Sequence, residues 1–242
     1  MTRIIWLENM PVGNFPPVEL ALDEPNGLLC AGGDLSPARL LAAYRNGIFP
    51  WFSEGEPILW WSPNPRMVFL TEQFRLASRF RRSLRKSPWQ VHSDTAFAEV
   101  VGLCASIPRA GQDGTWITDE IQTAYQHLHQ LGHAHSIEVF EDELLVGGLY
   151  GVMIGRMFFA ESMFSRQSGG SKVALAALAR FLHQHACPLI DAQVENPHLL
   201  RLGGIRMRRT KFVATLAKYA ALPGPSPRWR TLFQPHPASL LA

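Results

Sequence analysis

Two acidic residues interrupt apolar stretches of the sequence and are the first candidates for chemistry. Asp191 and Glu161 each directly follow a run of apolar residues, and Gln193 lies two positions beyond Asp191. A carboxylate in such surroundings is expensive to bury unless it is paired or hydrogen-bonded, and these groups concentrate at functional sites. On a strand, Asp191 and Gln193 would project from one face. The pattern favours a site, with a structural ion pair, for example between Asp191 and Arg206, as the alternative.

Two tryptophans are candidates for stacking on nucleic-acid bases. Trp51 lies in a proline-bounded aromatic loop, and Trp116 lies in a second, separate segment. Single-stranded ends of RNA are bound by stacking their bases on aromatic rings, at about 1–3 kcal/mol per base. The alternative is that both side chains belong to the hydrophobic core, which is where we place Trp60 and Trp61.

A basic segment lies between residues 75 and 86, with six bases and no acid. Its apolar residues recur at every fourth position, opposite most of the bases, which predicts an amphipathic helix over 73–87. The bases are Arg75, Arg79, Arg81, Arg82, Arg85 and Lys86. A second basic group consists of Arg201, Arg206, Arg208, Arg209 and Lys211. Such clusters suit a polyanion such as RNA, with an ordinary solvated face as the alternative.

The histidines and cysteines do not form a metal-binding pattern. Gly132 is expected to end a helix among the clustered histidines, and no nearby Cys or acid completes a ligand set. These histidines are His127, His129, His133 and His135, and the cysteines are Cys30, Cys104 and Cys187. The cysteines are too few and too scattered for a disulfide framework or a structural zinc site. We therefore expect no metal, and we interpret Cys187 as a small buried thiol.

Composition indicates an ordinary globular protein. The chain has 242 residues, of which 47% are hydrophobic and 18% charged. No apolar run approaches the roughly 20 residues that span a bilayer, and the N-terminus lacks the features of a signal peptide. We expect a cytoplasmic protein that does not bind membranes. Because no coiled-coil pattern or unassigned apolar stripe is left over, we expect a monomer.

The predicted elements place these candidates. A helix begins at Ser36-Pro37 and ends at Gly47, and residues 66–70 read as a strand. Further helices are expected over 94–105, from Thr118 to Gly132, over 171–185 and over 210–222. Strands are expected over 136–140, 144–152 and 156–162 as an antiparallel meander, and over 188–194. The tail 223–242 is expected to be irregular. Three antiparallel strands, a helix and one more strand give an α+β order.

An ordered set of motifs resembles the leucyl/phenylalanyl-tRNA–protein transferase family. In chain order the motifs are Pro25-Asn26-Gly27-Leu28-Leu29, Gly32-Gly33-Asp34-Leu35-Ser36-Pro37, Gly47-Ile48-Phe49-Pro50-Trp51-Phe52, Ile58-Leu59-Trp60-Trp61-Ser62-Pro63, Gly114-Thr115-Trp116-Ile117-Thr118, Gly132-His133-Ala134-His135-Ser136-Ile137-Glu138-Val139, Glu161-Ser162-Met163-Phe164-Ser165 and Leu189-Ile190-Asp191-Ala192-Gln193. The resemblance runs from about residue 3 to the last helix. It implies a GNAT-like C-terminal domain over 63–242 and a smaller N-terminal α/β domain over 1–62.

The resemblance also implies an activity. Enzymes of this family move Leu or Phe, and Met less well, from aminoacyl-tRNA to the N-terminal Arg or Lys of acceptor proteins, which marks those proteins for degradation. An aminoacyl-tRNA carries an activated ester, so no cofactor is expected. Positioning the two reactants can contribute roughly 7–11 kcal/mol, and a group that accepts the proton of the amine about 10²–10⁴-fold in rate.

Roles for individual residues follow from the same resemblance. Asp191 would orient or deprotonate the attacking amine, Gln193 would assist it, and Glu161 would line the same pocket. Trp51 and Trp116 would hold the terminal adenosine. The pocket for the Leu or Phe side chain would be formed by Phe158, Met163 and Ile190. Contacts to tRNA phosphates would come from Arg75, Arg79, Arg82, Arg85 and Lys86.

Two other functions remain open on the sequence. The first is a GNAT enzyme that uses acetyl-CoA, because the segment 166–171 nearly matches the pyrophosphate-binding loop of those enzymes, with Ser171 in the final small-residue position. The second is a non-catalytic RNA-binding protein. That protein would explain the basic segment and the tryptophans, but it gives Asp191, Gln193 and Glu161 no purpose.

Overall fold

The computed structural model describes residues 4–8, 10–107 and 115–242, so Gly114 of the fifth motif lies outside the described residues. In these residues, helices and strands are mixed along the chain, and the strands form two sheets, of four and eight strands. The predicted α+β class is confirmed. In the described ranges, no helix is both long enough and apolar enough to cross a membrane.

The small sheet has the strand order β1-β2-β4-β3. Its strands are β1 (Ile5–Trp6), β2 (Leu28–Ala31), β3 (Phe49–Pro50) and β4 (Leu59–Trp61). Helix α1 (Pro37–Arg45) connects β2 to β3 and begins as predicted, because the Ser36 hydroxyl accepts a hydrogen bond from the Arg39 amide at 3.4 Å. The helix ends before Gly47, whose φ of +72° is a conformation that glycine adopts without strain.

The large sheet has the strand order β11-β5-β10-β9-β8-β7-β6-β12. Its strands are β5 (Arg66–Leu70), β6 (Gln90–Ser93), β7 (Ala134–Glu141), β8 (Leu144–Ile154), β9 (Met157–Ser165), β10 (Leu189–Asp191), β11 (Ile205–Met207) and β12 (His236–Pro237). The predicted antiparallel meander is formed by β7, β8 and β9. Strand β10 is parallel to β9, because helix α5 (Gly170–Gln184) carries the chain back between them.

Helices cover both faces of the large sheet. Besides α1 and α5, the described helices are α2 (Ser78–Leu84), α3 (Phe97–Ser106), α4 (Asp119–Gln130), α6 (Pro197–Arg201), α7 (Arg209–Ala220) and α8 (Trp229–Leu232). Short 3₁₀ helices cover Val18–Leu20 and Ala238–Leu241. Helices α3, α4 and α7 pack on the same face as the small sheet, whereas α5 packs on the opposite face.

Two hydrophobic cores lie on these two faces. Neighbouring residues of β8 alternate between them, so Leu145 belongs to the first core and Val146 to the second. The first core also contains Phe49 and Trp60, so the small sheet shares it with the large one. The second core is filled mainly by α5 and includes Trp229 from the C-terminal tail. The first core therefore continues from the small sheet to the large one, which the chain connects through residues 62–65.

An opening forms where β9 and β10 part. The two strands pair only as far as Asp191 opposite Phe159, and β9 then continues to Ser165 without β10 beside it. On the other side of β9, the pairing with β8 shifts between Tyr150 and Gly151, so that Glu161 has no residue opposite it. This irregularity is a β-bulge, a feature that redirects a side chain. The fold thus presents Glu161 at the point where the strands separate.

The basic segment 73–87 forms a shorter helix than its periodicity predicts. Helix α2 covers seven residues, and before it residues 71–73 form a turn and residues 74–77 have no regular secondary structure. That preceding chain is held to the large sheet instead, since the Thr71 hydroxyl donates to the carbonyl oxygen of Cys187 at 2.8 Å. The helix predicted from Asp94 also begins later, at Phe97, because Asp94 has a φ of +56° and its carboxylate accepts from the Ser136 amide.

Two predictions near the C-terminus are corrected as well. The strand expected over 188–194 ends at Asp191, because Gln193 has a φ of +61° and is not extended. The tail 223–242 is not irregular throughout, since it contains α8, β12 and a 3₁₀ helix. Trp229 of this tail is completely buried and stacks on the His135 ring at 4.2 Å.

Gly151 provides a test of the bulge. A Cβ atom at this position would lie 2.1 Å from the Phe159 carbonyl oxygen and 2.6 Å from Cε1 of Phe158. Because backbone must move to relieve this overlap, we expect Gly151→Ala to lower the free energy of unfolding by about 1–3 kcal/mol. Urea denaturation measures the loss.

Gly102 is the matched control. It lies inside α3, and apart from its chain neighbours and the backbone of its own helix, no atom of the described residues lies within 4 Å of an added Cβ. Gly102→Ala should therefore raise the free energy of unfolding by roughly 0.5–1 kcal/mol, because alanine has less backbone freedom to lose in a helix. Equal stability of the two variants would contradict the close packing of the bulge.

Candidate active site

A cavity of about 640 Å³ fills the opening between β9 and β10. One part of its wall is apolar, formed by Phe69, Leu149, Ala160, Met163, Leu175 and Leu199. Polar lining residues include Glu161, Ser162, Ser165, Ser171, Gln193, Glu195, Asn196 and His198, and aromatic ones include Trp51 and Trp116. An apolar wall with a few converging polar groups is typical of small-molecule sites.

Glu161 is the central carboxyl group of this cavity. Its Oε2 accepts a hydrogen bond from the Tyr125 hydroxyl at 3.0 Å, and its Oε1 accepts one from the side-chain amide nitrogen of Gln193 at 2.8 Å. Burial raises the pKa of Glu161 to about 7, with a further contribution from the nearby Asp191, while hydrogen bonds from Tyr44, Tyr125 and Gln193 oppose the rise. A carboxyl group in this state can exchange a proton near neutral pH.

Two buried tyrosines from other helices form hydrogen bonds around Glu161. Tyr44 comes from α1 and Tyr125 from α4, and their hydroxyl groups form a short hydrogen bond with each other. Burial raises the pKa of both phenols well above the usual value, so both are neutral hydrogen-bond donors. Sequence analysis did not identify them as site residues. Tyr125 occupies an apolar position of α4, and this pattern is that of any core aromatic.

Asp191 lies behind the cavity wall rather than on it. Its side chain is completely buried, and both oxygens are occupied by Arg66, whose Nε and Nη2 atoms donate at 2.9 and 2.7 Å. Oδ1 also accepts from the backbone amide of Gln193 at 2.9 Å. The ion-pair partner is therefore Arg66 and not Arg206. Arg206 instead binds Glu195, at 2.6 Å, on the exposed rim of the cavity.

Asp191 and Gln193 consequently do not share a strand face. The chain leaves β10 at Asp191, and the left-handed conformation of Gln193 turns its side chain towards Glu161. The two residues remain linked, because the carboxylate of one holds the backbone amide of the other. The predicted grouping of Asp191, Gln193 and Glu161 is thus present as a hydrogen-bonded series, in which the last two line the cavity.

The two candidate tryptophans both line the cavity. Trp51 is 37% exposed, and Trp116 is partly buried. Trp61 supports Trp51, because its indole nitrogen donates to the Trp51 carbonyl oxygen at 2.6 Å and the two rings lie 5.7 Å apart. Trp60 is completely buried, as predicted for a core residue, and donates to the Gly32 carbonyl oxygen at 2.9 Å.

Of the three apolar pocket residues named from the sequence, Met163 lines the cavity. Phe158 and Ile190 are completely buried in the second core and do not appear in the lining. The Phe158 ring packs on Trp229 with centroids 5.7 Å apart. Both residues therefore lie beneath the apolar wall that Phe69 and its neighbours present. A pocket wall and the layer behind it have the same apolar composition, so sequence alone does not separate them.

The bases of the α2 segment are all exposed, and among the described residues none of them forms an ion pair. Their helix is anchored beside the first turn of α5, where the Lys172 ammonium lies 5.5 Å from the Phe80 ring centroid. Ser171, next to Lys172, lines the cavity. Helix α2, within the basic surface of Arg75, Arg79, Arg81, Arg82, Arg85 and Lys86, therefore lies beside a turn of α5 that contributes to the cavity lining.

The fold brings Asp94 close to His129 and His135, with one possible ligand atom of each within 4.8 Å of the others, an arrangement that could hold a metal ion. The expectation that no acid completes a ligand set with these histidines was therefore wrong. Asp94 Oδ2 and His135 Nδ1 lie 2.7 Å apart, and His129 Nδ1 contacts the carbonyl oxygen of Ala134 at 2.8 Å. These Nδ1 atoms are already engaged within the protein. The group lies away from the cavity lining, and its contacts fasten the start of α3 to β7.

The cysteines are buried thiols. Burial raises the pKa of Cys30 to about 12 and that of Cys187 to about 11. Cys187 contacts the backbone oxygen of His185 at 3.5 Å. A thiol that stays protonated is a poor nucleophile, which agrees with the structural interpretation of Cys187.

Comparison with known proteins identifies relatives along most of the chain. The leucyl/phenylalanyl-tRNA protein transferase family model matches residues 68–217, and the model for the N-terminal domain of that family matches residues 33–64. The leucyl/phenylalanyl-tRNA–protein transferase of Xanthomonas euvesicatoria pv. vesicatoria (strain 85-10) is 64% identical over 93% of this chain and 90% of its own length. That of Xylella fastidiosa (strain 9a5c) is 59% identical over 94% and 93%.

Similarity to solved structures is much weaker. A functionally unknown conserved protein from Staphylococcus epidermidis ATCC 12228 is 10% identical, covers 75% of this chain and 68% of its own, and has a TM-score of 0.39. The sequence matches, in contrast, include more than half of the chain in one family model. The chain belongs to the leucyl/phenylalanyl-tRNA protein transferase family.

Proposed function

We propose that this protein transfers leucine or phenylalanine, and methionine less readily, from aminoacyl-tRNA to the N-terminal residue of acceptor proteins. The observation that carries the proposal is the carboxyl group of Glu161, whose pKa is about 7 and which faces a cavity with one apolar wall and two tryptophans. Membership of the family and the names of the curated relatives support it. A cavity with this carboxyl group, apolar wall and two tryptophans could receive an aminoacylated RNA end together with the amine of an acceptor.

The reaction requires two protons to leave the acceptor nitrogen. The α-ammonium group loses the first proton to a base, and its nitrogen attacks the ester carbonyl carbon. The nitrogen loses the second proton as the amide forms, and the ribose oxygen takes up a proton as its bond to the carbonyl carbon breaks. We assign the proton acceptor to Glu161, because its pKa is suited to the task. Both oxygens of Asp191 are occupied by Arg66, so we propose that Asp191 helps to orient the amine and does not take up its proton.

The remaining contacts divide between the two ends of the aminoacyl-tRNA. The apolar wall, including Met163 and Phe69, would receive the Leu or Phe side chain, with Phe158 and Ile190 behind it. Trp51 would stack on the terminal adenosine, with Trp116 as a second platform. Phosphates of the acceptor stem would lie on Arg75, Arg79, Arg82, Arg85 and Lys86, which position the RNA without reading its sequence.

We propose further that the acceptor begins with Arg or Lys and that the transfer marks it for degradation. A cationic first residue suits a cavity whose rim and interior carry the acids Glu195 and Glu161. We propose a GNAT-like C-terminal domain over 63–242, joined to a smaller domain over 1–62. We also propose that the protein acts as a monomer in the cytoplasm.

The use of acetyl-CoA is the alternative that the segment 166–171 raised. A pyrophosphate at this loop would need free amide groups at the start of α5. The Ser171 amide donates to the Ser165 hydroxyl at 2.9 Å, and the Gly170 amide donates to the Gln167 carbonyl oxygen at 3.0 Å. Because two amides of the loop are engaged, we favour aminoacyl-tRNA and propose that no cofactor is needed.

Transfer should therefore proceed with two substrates alone. Purified protein, radiolabelled Leu-tRNA and a peptide beginning with Arg should give labelled peptide in plain buffer, because the ester supplies the driving force. A peptide with an acetylated N-terminus is the control and should stay unlabelled. A strict requirement for acetyl-CoA, ATP or a metal ion would rule the mechanism out.

Glu161→Gln tests the proton acceptor. Its single-turnover rate should fall by about 10²–10⁴-fold, because an amide of the same shape cannot take up the proton. For wild type, the rate should rise with pH through about 7, since the protonated carboxyl group is inactive. The variant should lose this step and keep only the step due to the acceptor amine, near a pKa of about 8.

Glu99→Gln is the control for this measurement, because Glu99 is an exposed acid on α3. Its rate and pH profile should match those of wild type. A pH profile for Glu161→Gln that retains the step near 7 would assign the proton acceptor to another group.

Removal of three bases tests the RNA surface. The variant with Arg79, Arg82 and Lys86 changed to Ala should show a higher KM for Leu-tRNA and a weaker dependence on salt, because fewer counterions are released on binding. A control variant loses three exposed bases from other elements, Arg45, Lys218 and Arg228. If both variants change KM equally, net charge rather than this surface accounts for the effect.

A further inference from the structure

Arg66 holds a permanent charge inside the first core. It is 1% exposed, although it is the first residue of β5 and close to the connection between the two sheets. Its guanidinium group lies between two aromatic rings, 4.7 Å from the centroid of Phe49 and 4.7 Å from that of Phe212. Cation–π contacts of this kind are strongest when they are desolvated. Arg66 thereby connects β3, α7 and the large sheet.

The hydrogen bonds of Arg66 are incomplete. Nε and Nη2 bind the two oxygens of Asp191, whereas Nη1 is buried and has no hydrogen-bond partner among the described residues. Replacing a buried ion pair by apolar residues of similar size is often neutral or stabilising, because desolvation offsets the attraction between the charges. An ion pair with an unsatisfied nitrogen is therefore poorly explained by stability alone.

A series of contacts leads from Arg66 to the cavity. Asp191, held by Arg66, accepts from the backbone amide of Gln193 at 2.9 Å. The Gln193 carbonyl oxygen accepts from the Met67 amide at 3.1 Å, so the residue after Arg66 fixes the other side of the same turn. The Gln193 side chain then donates to Glu161 at 2.8 Å. The left-handed backbone of Gln193 is unusual for a residue other than glycine, and these contacts hold it.

We infer that Arg66 is a positioning residue for aminoacyl transfer, which acts through Asp191 and the Gln193 turn to place Glu161 in the cavity. The inference rests on the proposed function. Arg66 itself does not line the cavity and touches no reacting atom. Its contribution is to fix the direction of the Gln193 side chain, which holds one of the two oxygens of Glu161.

Arg66 also balances the charge behind the cavity. The groups that face Glu161 are Tyr44 on α1, Tyr125 on α4, Gln193 and, more remotely, Asp191 on β10. Asp191 is the negative group among them, and its proximity raises the pKa of Glu161. The guanidinium group bound to Asp191 offsets that negative charge. Without it, Asp191 would oppose the ionised form of Glu161 more strongly.

The test compares Arg66→Met, Asp191→Asn and the double variant with wild type. Each single change leaves a buried polar group without its partner and should lower the melting temperature. The double variant removes both charges and should recover much of that loss, while Asn at position 191 still offers an acceptor to the Gln193 amide. Its single-turnover rate at saturating Leu-tRNA should nevertheless stay about 10²-fold below wild type, because small displacements of reacting groups have effects of that size.

The KM for Leu-tRNA separates positioning from damage to the RNA site. We expect KM of the double variant to remain near the wild-type value, since Arg66 lies away from the basic surface of α2. The matched control is a second Arg–Asp pair, Arg39 and Asp34, in which the arginine is likewise buried. The variant with Arg39→Met and Asp34→Asn should lose stability and keep the wild-type rate per folded molecule.

A folded double variant with a normal rate would overturn the inference, because the ion pair would then be structural only. If the double variant does not fold, Arg66→Lys decides by the same criterion. Lysine keeps the charge but cannot bind both carboxylate oxygens in the same geometry, so the rate per folded molecule should fall. If wild type itself transfers no label, the proposed function fails first, and that result is distinct from normal transfer by the variants.

Discussion

The buried ion pair between Arg66 and Asp191 lies at the last residue of β10, and the candidate site depends on the end of that strand. Asp191 is the last residue paired with β9, and its carboxylate binds both the guanidinium group and the Gln193 amide. A strand continued to residue 194 would close the opening and direct Gln193 differently. The ion pair thus stabilises a local departure from regular sheet, and the cavity occupies the space that this departure leaves.

The separation of β9 and β10 creates a site whose residues come from several helices and strands of the fold. Glu161 is turned by the bulge in β9, and its donors are supplied by α4 and by the turn after β10. Burial and the carboxylate of Asp191 favour the neutral form of this carboxyl group, whereas hydrogen bonds from Tyr44, Tyr125 and Gln193 oppose them, and its pKa is about 7. The pKa of Glu161 therefore depends on how several helices and strands pack around it, since each of them contributes a group that raises or lowers it.

Sequence reasoning was strongest where a local pattern has one physical meaning. Ser36-Pro37 and Thr118 begin helices, and the meander follows from alternating strands and turns. It was weaker where partners are distant in sequence, because periodicity carries no information on which acid meets which base. The alternative role of Asp191, a structural ion pair, had Arg206 as its example, yet Asp191 binds Arg66, 125 positions away. Likewise, Tyr125 has the signature of a core residue, and only its contact with Glu161 distinguishes it.

The hydrogen bond between Tyr44 and Tyr125 joins residues 81 positions apart, and the same network reaches Gln193, 32 positions beyond Glu161. Long-range contacts of this kind form late, since the intervening chain must be ordered first. A nascent polypeptide that has emerged only as far as β9 therefore contains Glu161 but not the turn that holds it. During synthesis on the ribosome, which uses the same aminoacyl-tRNAs, the partial chain therefore has no assembled centre until Gln193 has emerged.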